Sequence, residues 1–309
     1  LEIDLLEIDL LEAIKEIQNQ ENNMKKQILF IAISMNIITI SAQNEIDAFR
    51  YSNQDLIGTA RYSSMAGAFG SLGGDFATLS SNPAGIGMYQ FSEFTFTPTL
   101  NFNTTKSYYN SSNLSEYTSG LSIGNLGVIF SRPKKNSDWK RINIGIGWNQ
   151  LANYDNTTKI EGVNQESSIV DKFIEMTNGT LTGELINGEG NSYAQMAWNT
   201  YLIDPLFINN ELVNGEYVSN FSSKEKLQSK VTRSIGGMNE FVFSIGGSYK
   251  ENLYVGATIG IPTINYYENT EYREREINDT TSNLRRMLFS EEISAYGTGI
   301  NLKIGAIYR

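Results

Sequence analysis

The sequence predicts an all-β protein of the transmembrane antiparallel β-barrel class, with about six strands present in 309 residues. Three observations lead to this fold class. Several segments alternate apolar residues with uncharged polar ones, as membrane barrel strands do. The connections between these segments alternate between short and long. After residue 40, no uncharged apolar stretch reaches the roughly 18 residues that a transmembrane helix needs.

The amino-terminal residues indicate export. Met24 is followed by two lysines, residues 28–40 are mostly apolar, and small residues precede Gln43. This order is typical of a secretory signal peptide, which we place at residues 24–42. Residues 1–23 repeat the sequence Leu-Glu-Ile-Asp-Leu and hold most of the chain's acidic excess. We interpret them as an upstream extension that is not native, and the alternative is a short coiled-coil arm.

The next element is a glycine-rich stretch. It contains four short motifs, which are Gly58-Thr59-Ala60-Arg61, Met65-Ala66-Gly67-Ala68-Phe69-Gly70, Asp75-Phe76-Ala77-Thr78-Leu79-Ser80 and Asn82-Pro83-Ala84-Gly85. Glycine permits close backbone approach, and proline fixes its own backbone angle. A surface loop would have a similar composition, but loops do not usually continue into a long amphipathic strand.

These motifs resemble the start of FadL/TodX-type outer-membrane transport proteins, which carry hydrophobic molecules such as long-chain fatty acids. The resemblance implies that residues 43–90 are an N-terminal hatch plugging the barrel, with Asn82, Pro83, Ala84 and Gly85 as its central motif. It also implies a barrel of about fourteen strands. Residues 91–309 would then be a partial barrel, and the chain an amino-terminal fragment of a longer protein.

Six strands follow from the alternation of residue types. They are predicted at 94–103, 121–130, 142–154, 241–249, 253–261 and 296–308. The short connections near 132–140 and 250–252 are predicted to be periplasmic turns, and the long ones at 104–118, 155–238 and 268–293 external loops. Charges of alternating sign at 271–276 indicate a solvated rim.

The 155–238 insertion is too long for a structureless loop, and we expect helices at about 167–177 and 192–203. Its apolar residues could form an external groove for a hydrophobic ligand. The candidate groove residues are Phe173, Ile174, Met176, Met196, Trp198 and Tyr201. The alternative is that these side chains pack the insertion against the barrel rim.

The composition excludes several kinds of chemistry. The chain has no cysteine and no histidine. Disulfides, thiolate metal sites, Ser-His hydrolytic pairs and the commonest metal ligand are therefore excluded. We expect no catalytic residues, no metal site and no cofactor, and the protein is not predicted to be an enzyme.

The mechanism that the resemblance implies is passive uptake. A ligand lands on the external loops, enters the barrel, and leaves sideways into the membrane after the hatch rearranges. The sideways exit would lie at a kink in the third strand, where Gly145, Gly147 and Asn149 stand. The glycines could equally be small inward-facing residues that leave space for the hatch.

We therefore expect a monomer in the Gram-negative outer membrane whose partners are membrane lipid and a hydrophobic small molecule, with no nucleic acid. The alternative function is an outer-membrane surface scaffold or adhesin whose activity lies in the 155–238 loop.

Overall fold

The computed structural model of the chain describes residues 45–221, 225–277 and 284–309. The predicted upstream extension and signal peptide lie outside these residues. The chain divides into two compact units between Asn53 and Gln54. In the first unit, the described residues form helix α1 (Glu45–Ser52), in which Arg50 and Asp47 make an ion pair of 2.5 Å. All further elements belong to the second unit, which begins with helix α2 (Ala60–Ser64).

The second unit is built on a large antiparallel sheet. Its strands are β1 (Glu93–Tyr109), β2 (Ser112–Pro133), β3 (Trp139–Asn153), β4 (Asn156–Asn164), β7 (Lys226–Tyr249), β8 (Leu253–Glu276), β9 (Arg286–Thr298) and β10 (Asn301–Tyr308). The order is β1-β2-β3-β7-β8-β10, with β4 also paired to β7 and β9 also paired to β8. A separate hairpin consists of β5 (Ile203–Ile208) and β6 (Glu211–Ser219). The all-β prediction is thus confirmed.

The sheet is six strands wide although it contains eight strands, because two of the six positions are each occupied by two successive strands. β3 and β4 pair with successive parts of β7, and β10 and β9 pair with successive parts of β8. The predicted number of six thus matches the width of the sheet, whereas the sheet contains eight separate strands. Among the described residues, no ladder joins β1 to β9 or β10, so the sheet is open and not a closed barrel.

The strands are longer than the sequence predicts. Residues 104–118, predicted to be an external loop, are mostly strand, and β1 and β2 turn only at Asn110 and Ser111. β7 already begins at Lys226, and β8 continues to Glu276. In these extensions both faces of the strands carry polar residues, so the apolar alternation stops while the backbone ladder continues.

The sheet has one apolar and one polar face. The face that we call outer carries rows of apolar side chains, each row with one residue from each of six strands. The central row is Phe94, Val128, Ile146, Phe243, Ile259 and Leu302. Phe94 is 71% exposed and Leu302 68%. The opposite, inner face carries small and polar residues, many of them buried. One inner row is Ile129, Gly145, Ser244, Thr258 and Lys303.

The residues between β4 and β7 form a small folded insertion. It contains helices α3 (Ile169–Thr177), α4 (Thr182–Ile186) and α5 (Ser192–Asn199) and the β5–β6 hairpin. Helices near 167–177 and 192–203 were expected from the sequence. The insertion has an apolar core around Val170, Phe173 and Leu185, which it shares with Met287 of β9. Of the helices that the structure describes, none is long and apolar enough to cross a membrane.

Candidate functional site: a hatch segment on a glycine row

The hatch segment, residues 54–90, is the part of the predicted hatch range 43–90 that belongs to the second unit. It consists of helix α2 (Ala60–Ser64) and two 3-10 helices, Phe76–Ser80 and Pro83–Met88. Polar side chains cap each of them. The carboxylate of Asp75 accepts from Ala77 N at 3.0 Å, and Asn82 Oδ1 accepts from Ala84 N at 3.1 Å. Capping satisfies backbone donors that a helix start leaves unpaired.

The predicted central motif begins the second 3-10 helix. Asn82 is its cap and Pro83 occupies the first turn, where proline's missing N–H is not needed. The side-chain amide of Asn82 also donates to the Gly70 carbonyl at 2.6 Å. Gly85 packs against the backbone of Gly73, whose φ of +63° suits glycine. The motif therefore ties the second 3-10 helix to the preceding loop.

The hatch segment packs against the inner face of the sheet. Phe76, Leu79 and Ile86 are fully buried, and they form one core with Ile129 of β2 and Val242 of β7. This core holds the apolar residues of the hatch segment away from solvent. It therefore supplies the hydrophobic part of the docking.

The second 3-10 helix and its cap lie directly against three glycines that are neighbours across β7, β8 and β10. We call Gly246, Gly256 and Gly305 the glycine row. A Cβ on Gly246 would lie 2.5 Å from Ile86 Cγ2. A Cβ on Gly256 would overlap the Pro83 carbonyl, and one on Gly305 would overlap the Asn82 side chain. The predicted motif thus rests on bare backbone, where no other residue type fits.

Two asparagines of β3 hold the hatch segment by polar contacts. Asn143 Nδ2 donates to the Ile86 carbonyl at 2.7 Å and to the Tyr89 carbonyl at 3.0 Å, in a buried setting. Asn149 Nδ2 donates to Ser80 Oγ at 2.8 Å. Asn143 thus links two backbone carbonyls of the hatch segment directly to β3, and these hydrogen bonds contribute to the docking.

The residues predicted to form a lateral kink lie beneath the hatch segment. Gly145, Gly147 and Asn149 are continuously paired with both neighbouring strands, and the register shifts of β3 fall elsewhere, at 139–141 and 150–152. A Cβ on Gly147 would lie 2.6 Å from Phe76 Cζ. These contacts fit the alternative in which the glycines leave space for the hatch.

The sheet does open beside β3, and the gap lies between β2 and β3. β2 and β3 pair only as far as Asn125 and Asn149, and beyond that point each pairs with its other neighbour. Gly124 lies at a register shift between β1 and β2, as is usual for a bulge that bends a strand. Farther along, Asn156 of β4 accepts from Asn103 of β1 at 2.8 Å, so the gap is bounded at both ends.

The start of the hatch segment fills this gap. Asp55 N donates to the Leu151 carbonyl at 2.8 Å, and Asp55 Oδ2 accepts from Asn153 N at 2.8 Å. On the other side, a Cβ on Gly124 would lie 3.4 Å from Ile57 Cγ2. Asp55 therefore takes up backbone groups of β3 that β2 leaves unpaired. No sequence motif marks Asp55 as a contact residue.

We expect Asp55→Ala to loosen the edge of β3. The change removes the acceptor of Asn153 N, a hydrogen bond of about 1 kcal/mol, so the Asn153 amide should exchange with deuterium about fivefold faster. Hydrogen exchange measured residue by residue checks this. Gln54→Ala alters an exposed neighbour and should leave the rate unchanged, and an equal effect of both substitutions would contradict the role of Asp55.

Some of the predicted external groove residues are buried in the structure and others are exposed. Phe173 is buried and meets Phe289 of β9 edge-to-face at 5.7 Å between ring centroids, and Ile174 also packs on the insertion core. Met176 is half-buried, whereas Met196 and Tyr201 are exposed. Trp198 and Tyr201 line a cavity of about 230 Å³, below the about 300 Å³ of most ligand sites. Phe173 and Ile174 thus fit the alternative in which the insertion packs on the rim.

A buried carboxylate anchors this insertion to the sheet. Glu274 Oε1 accepts from Ile169 N at 2.9 Å, Gln228 Nε2 at 2.9 Å and Tyr272 OH at 2.7 Å, and Glu274 Oε2 accepts from Ser168 Oγ. Its position at the start of α3 also suits the helix dipole. The prediction of a solvated rim at 271–276 was wrong for this residue, because alternate residues of β8 face inward.

Glu274→Ala is expected to detach helix α3. The substitution removes the acceptor that these four donors share, at a cost of about 3 kcal/mol or more. Amides of residues 169–177 should then exchange much faster in hydrogen exchange with mass spectrometry. Glu271→Ala is the matched control, since Glu271 makes a partly exposed ion pair with Arg273 worth less than about 1 kcal/mol. Unchanged exchange in the Glu274 variant would contradict the anchoring role.

Two tyrosines, one beside Glu274 and one at the end of the hatch segment, stay protonated over an extended pH range. Burial raises the pKa of the Tyr272 phenol, and its hydrogen bond to Glu274 raises it further. Burial likewise raises the pKa of Tyr89, with the nearby Glu93 carboxylate adding to the effect. Because the pKa of each phenol is higher in the folded state, the stability that each protonated phenol contributes is complete below its unfolded pKa of about 10. That stability falls as the pH rises above about 10.

Comparison with known protein families, characterised proteins and solved structures finds no match to this chain.

Proposed function

We propose that this protein is a channel of the outer membrane that takes up hydrophobic small molecules, such as long-chain fatty acids, by a passive route. The observation that carries the proposal is the polarity of the sheet. Its exposed face is apolar across six strands, and its covered face is small and polar. Water-soluble proteins rarely expose so large an apolar patch, whereas a wall facing lipid requires one.

The dimensions of the outer face support a bilayer location. Phe94 and Phe102 stand eight residues apart on β1, which corresponds to about 20 Å after a strand tilt of about 40°. Aromatic pairs lie towards both ends of the apolar rows. Trp139 meets Tyr249 at 5.4 Å between ring centroids, and Phe102 stacks on Tyr117 at 6.2 Å. Outer-membrane strands carry an apolar band of about 25 Å between two aromatic girdles.

The hatch segment supports the transport part of the proposal. It occupies the inner face and also fills the gap between β2 and β3 through Asp55. One movement of this segment would clear the inner face and open the gap. We propose that ligand passes along the inner face and leaves through this gap, which replaces the predicted kink at Gly145 and Gly147 as the exit.

Spin labelling tests the membrane location. The chain has no native cysteine, so Phe243→Cys and Lys135→Cys give single labelling sites, both exposed. After reconstitution in lipid vesicles, a label at 243 should collide with oxygen and not with a water-soluble nickel complex, and a label at 135 should do the reverse. Nickel access at both sites would refute a lipid-facing sheet.

Uptake of radiolabelled fatty acid tests transport separately. Cells producing the exported protein should accumulate the label faster than cells without the gene, and unlabelled fatty acid should compete. Equal uptake, together with a lipid-facing label at 243, would favour the alternative of a surface scaffold acting through its folded insertion.

A further inference from the structure

The outer face contains a depression near the turn between β2 and β3. Its volume is about 450 Å³, which lies in the range of small-molecule sites. The depression exists because side chains become small at this point in the rows. Ile245 pairs with Ala257, and the next outer pair is Gly247 with Val255. Ile142 of β3 stands at the side of the depression, so that it is an apolar groove with a floor of short side chains.

The groove ends at an aromatic and basic rim. Trp139 and Lys134 line it, and Trp139 packs edge-on to Tyr249. Tryptophan and tyrosine favour the level of lipid headgroups, because their rings are amphipathic. The groove mouth thus lies where a headgroup would stand if the outer face is in lipid.

The charge of this rim is strongly positive. The two turns that form it and the strand ends beside them carry six basic residues, which are Arg132, Lys134, Lys135, Lys140, Arg141 and Lys250. Of these, Arg141 donates to the Gln90 carbonyl of the hatch segment on the inner side. The acidic residues of the two turns are Asp138, which is 3.7 Å from Lys250 Nζ, and Glu251. Exposed basic clusters beside an apolar membrane surface attract anionic lipids.

We propose that this groove is a binding site for an anionic phospholipid, with an acyl chain over Ala257 and the phosphate beside Lys134. The site depends on the membrane location under Proposed function but is distinct from the transport route. It lies on the outer face, whereas the hatch segment covers the inner face. The bound lipid would fix the depth and orientation of the β2–β3 turn at the membrane surface.

Tryptophan quenching by brominated lipid tests the site in the full chain. The chain has three tryptophans, Trp139, Trp148 and Trp198. Trp148→Phe with Trp198→Phe leaves the groove tryptophan, and Trp139→Phe with Trp198→Phe leaves Trp148 on the outer face away from the groove. Each variant is reconstituted in phosphatidylcholine vesicles that contain a small fraction of brominated phosphatidylglycerol or brominated phosphatidylcholine with the same acyl chains.

The expected result is a preference at Trp139 alone. Half-maximal quenching of Trp139 should need about fivefold less brominated phosphatidylglycerol than phosphatidylcholine, and Lys134→Gln should remove most of that difference. Ala257→Leu fills the groove and should weaken quenching by phosphatidylglycerol. Lys106→Gln, a matched charge loss on β1 far from the groove, should change nothing.

The outcomes separate the two proposals. Equal quenching of Trp139 by both lipids, with Trp148 also quenched, would overturn the lipid site and leave the membrane location standing. Absence of quenching at both tryptophans would overturn the membrane location and the site together.

Discussion

Gly256→Val is expected to release the hatch segment from the sheet while the sheet itself stays folded. The added side chain would overlap the Pro83 carbonyl. No side-chain rotation can relieve this overlap, because the Pro83 carbonyl is a backbone group and the new Cβ is attached directly to the backbone of β8. Overpacking of this kind costs about 1–3 kcal/mol. Since Phe76 belongs to the hatch segment and is fully buried against the sheet, chymotrypsin should cut after it only when the segment opens. We expect cleavage about tenfold faster or more in the variant.

Gly297→Val provides the control for this experiment. Gly297 lies in β9 with no atom within 4 Å of an added Cβ, so the same chemical change meets no obstacle there. Far-UV circular dichroism should be native in both variants. Equal cleavage rates at Phe76 in both variants would show that the glycine row does not hold the hatch segment.

Phe243→Arg should strongly weaken folding into a bilayer. Phe243 stands in the central apolar row, and an arginine at the midplane of a membrane barrel costs about 2–4 kcal/mol. In water the same replacement at an exposed site changes stability by less than about 0.5 kcal/mol. Urea titration of the protein in lipid vesicles, followed by tryptophan fluorescence, measures the difference.

Ile235→Arg is the matched control. Ile235 lies on the same strand and the same face, eight residues and about 26 Å from Phe243, and it is also exposed. It lies beyond the apolar rows, where arginine costs about 0–1 kcal/mol. Equal effects of the two substitutions would argue against a bilayer around the outer face.

The outer face could be predicted from the sequence because its signal is local. Ile142, Ile144, Ile146 and Trp148 alternate with small or polar residues, and a period of two needs no knowledge of the partner strand. The strand extensions could not be found in this way. In β7 before Gly236 and in β8 after Asn265, polar residues occur on both faces, so the ladder continues where the contrast in polarity is too weak to predict a strand.

The docking contacts were missed for a different reason. The Asn82 motif was recognised, but nothing in its own segment points to Gly246, Gly256 or Gly305, because these become neighbours only through strand register. The sequence places Glu274 in a run of charges that indicates a solvated rim, whereas its burial follows from a helix start more than a hundred residues earlier. Such long-range pairings have no local pattern.

The glycine row has a consequence for the order of folding. Asn82 docks against Gly305, about 220 residues later in the chain. Contacts of such high sequence separation form slowly, because a long loop must close before they can be made. The hatch segment therefore cannot complete its contacts until β10 has joined the sheet. We expect its docking to be a late and slow step of folding.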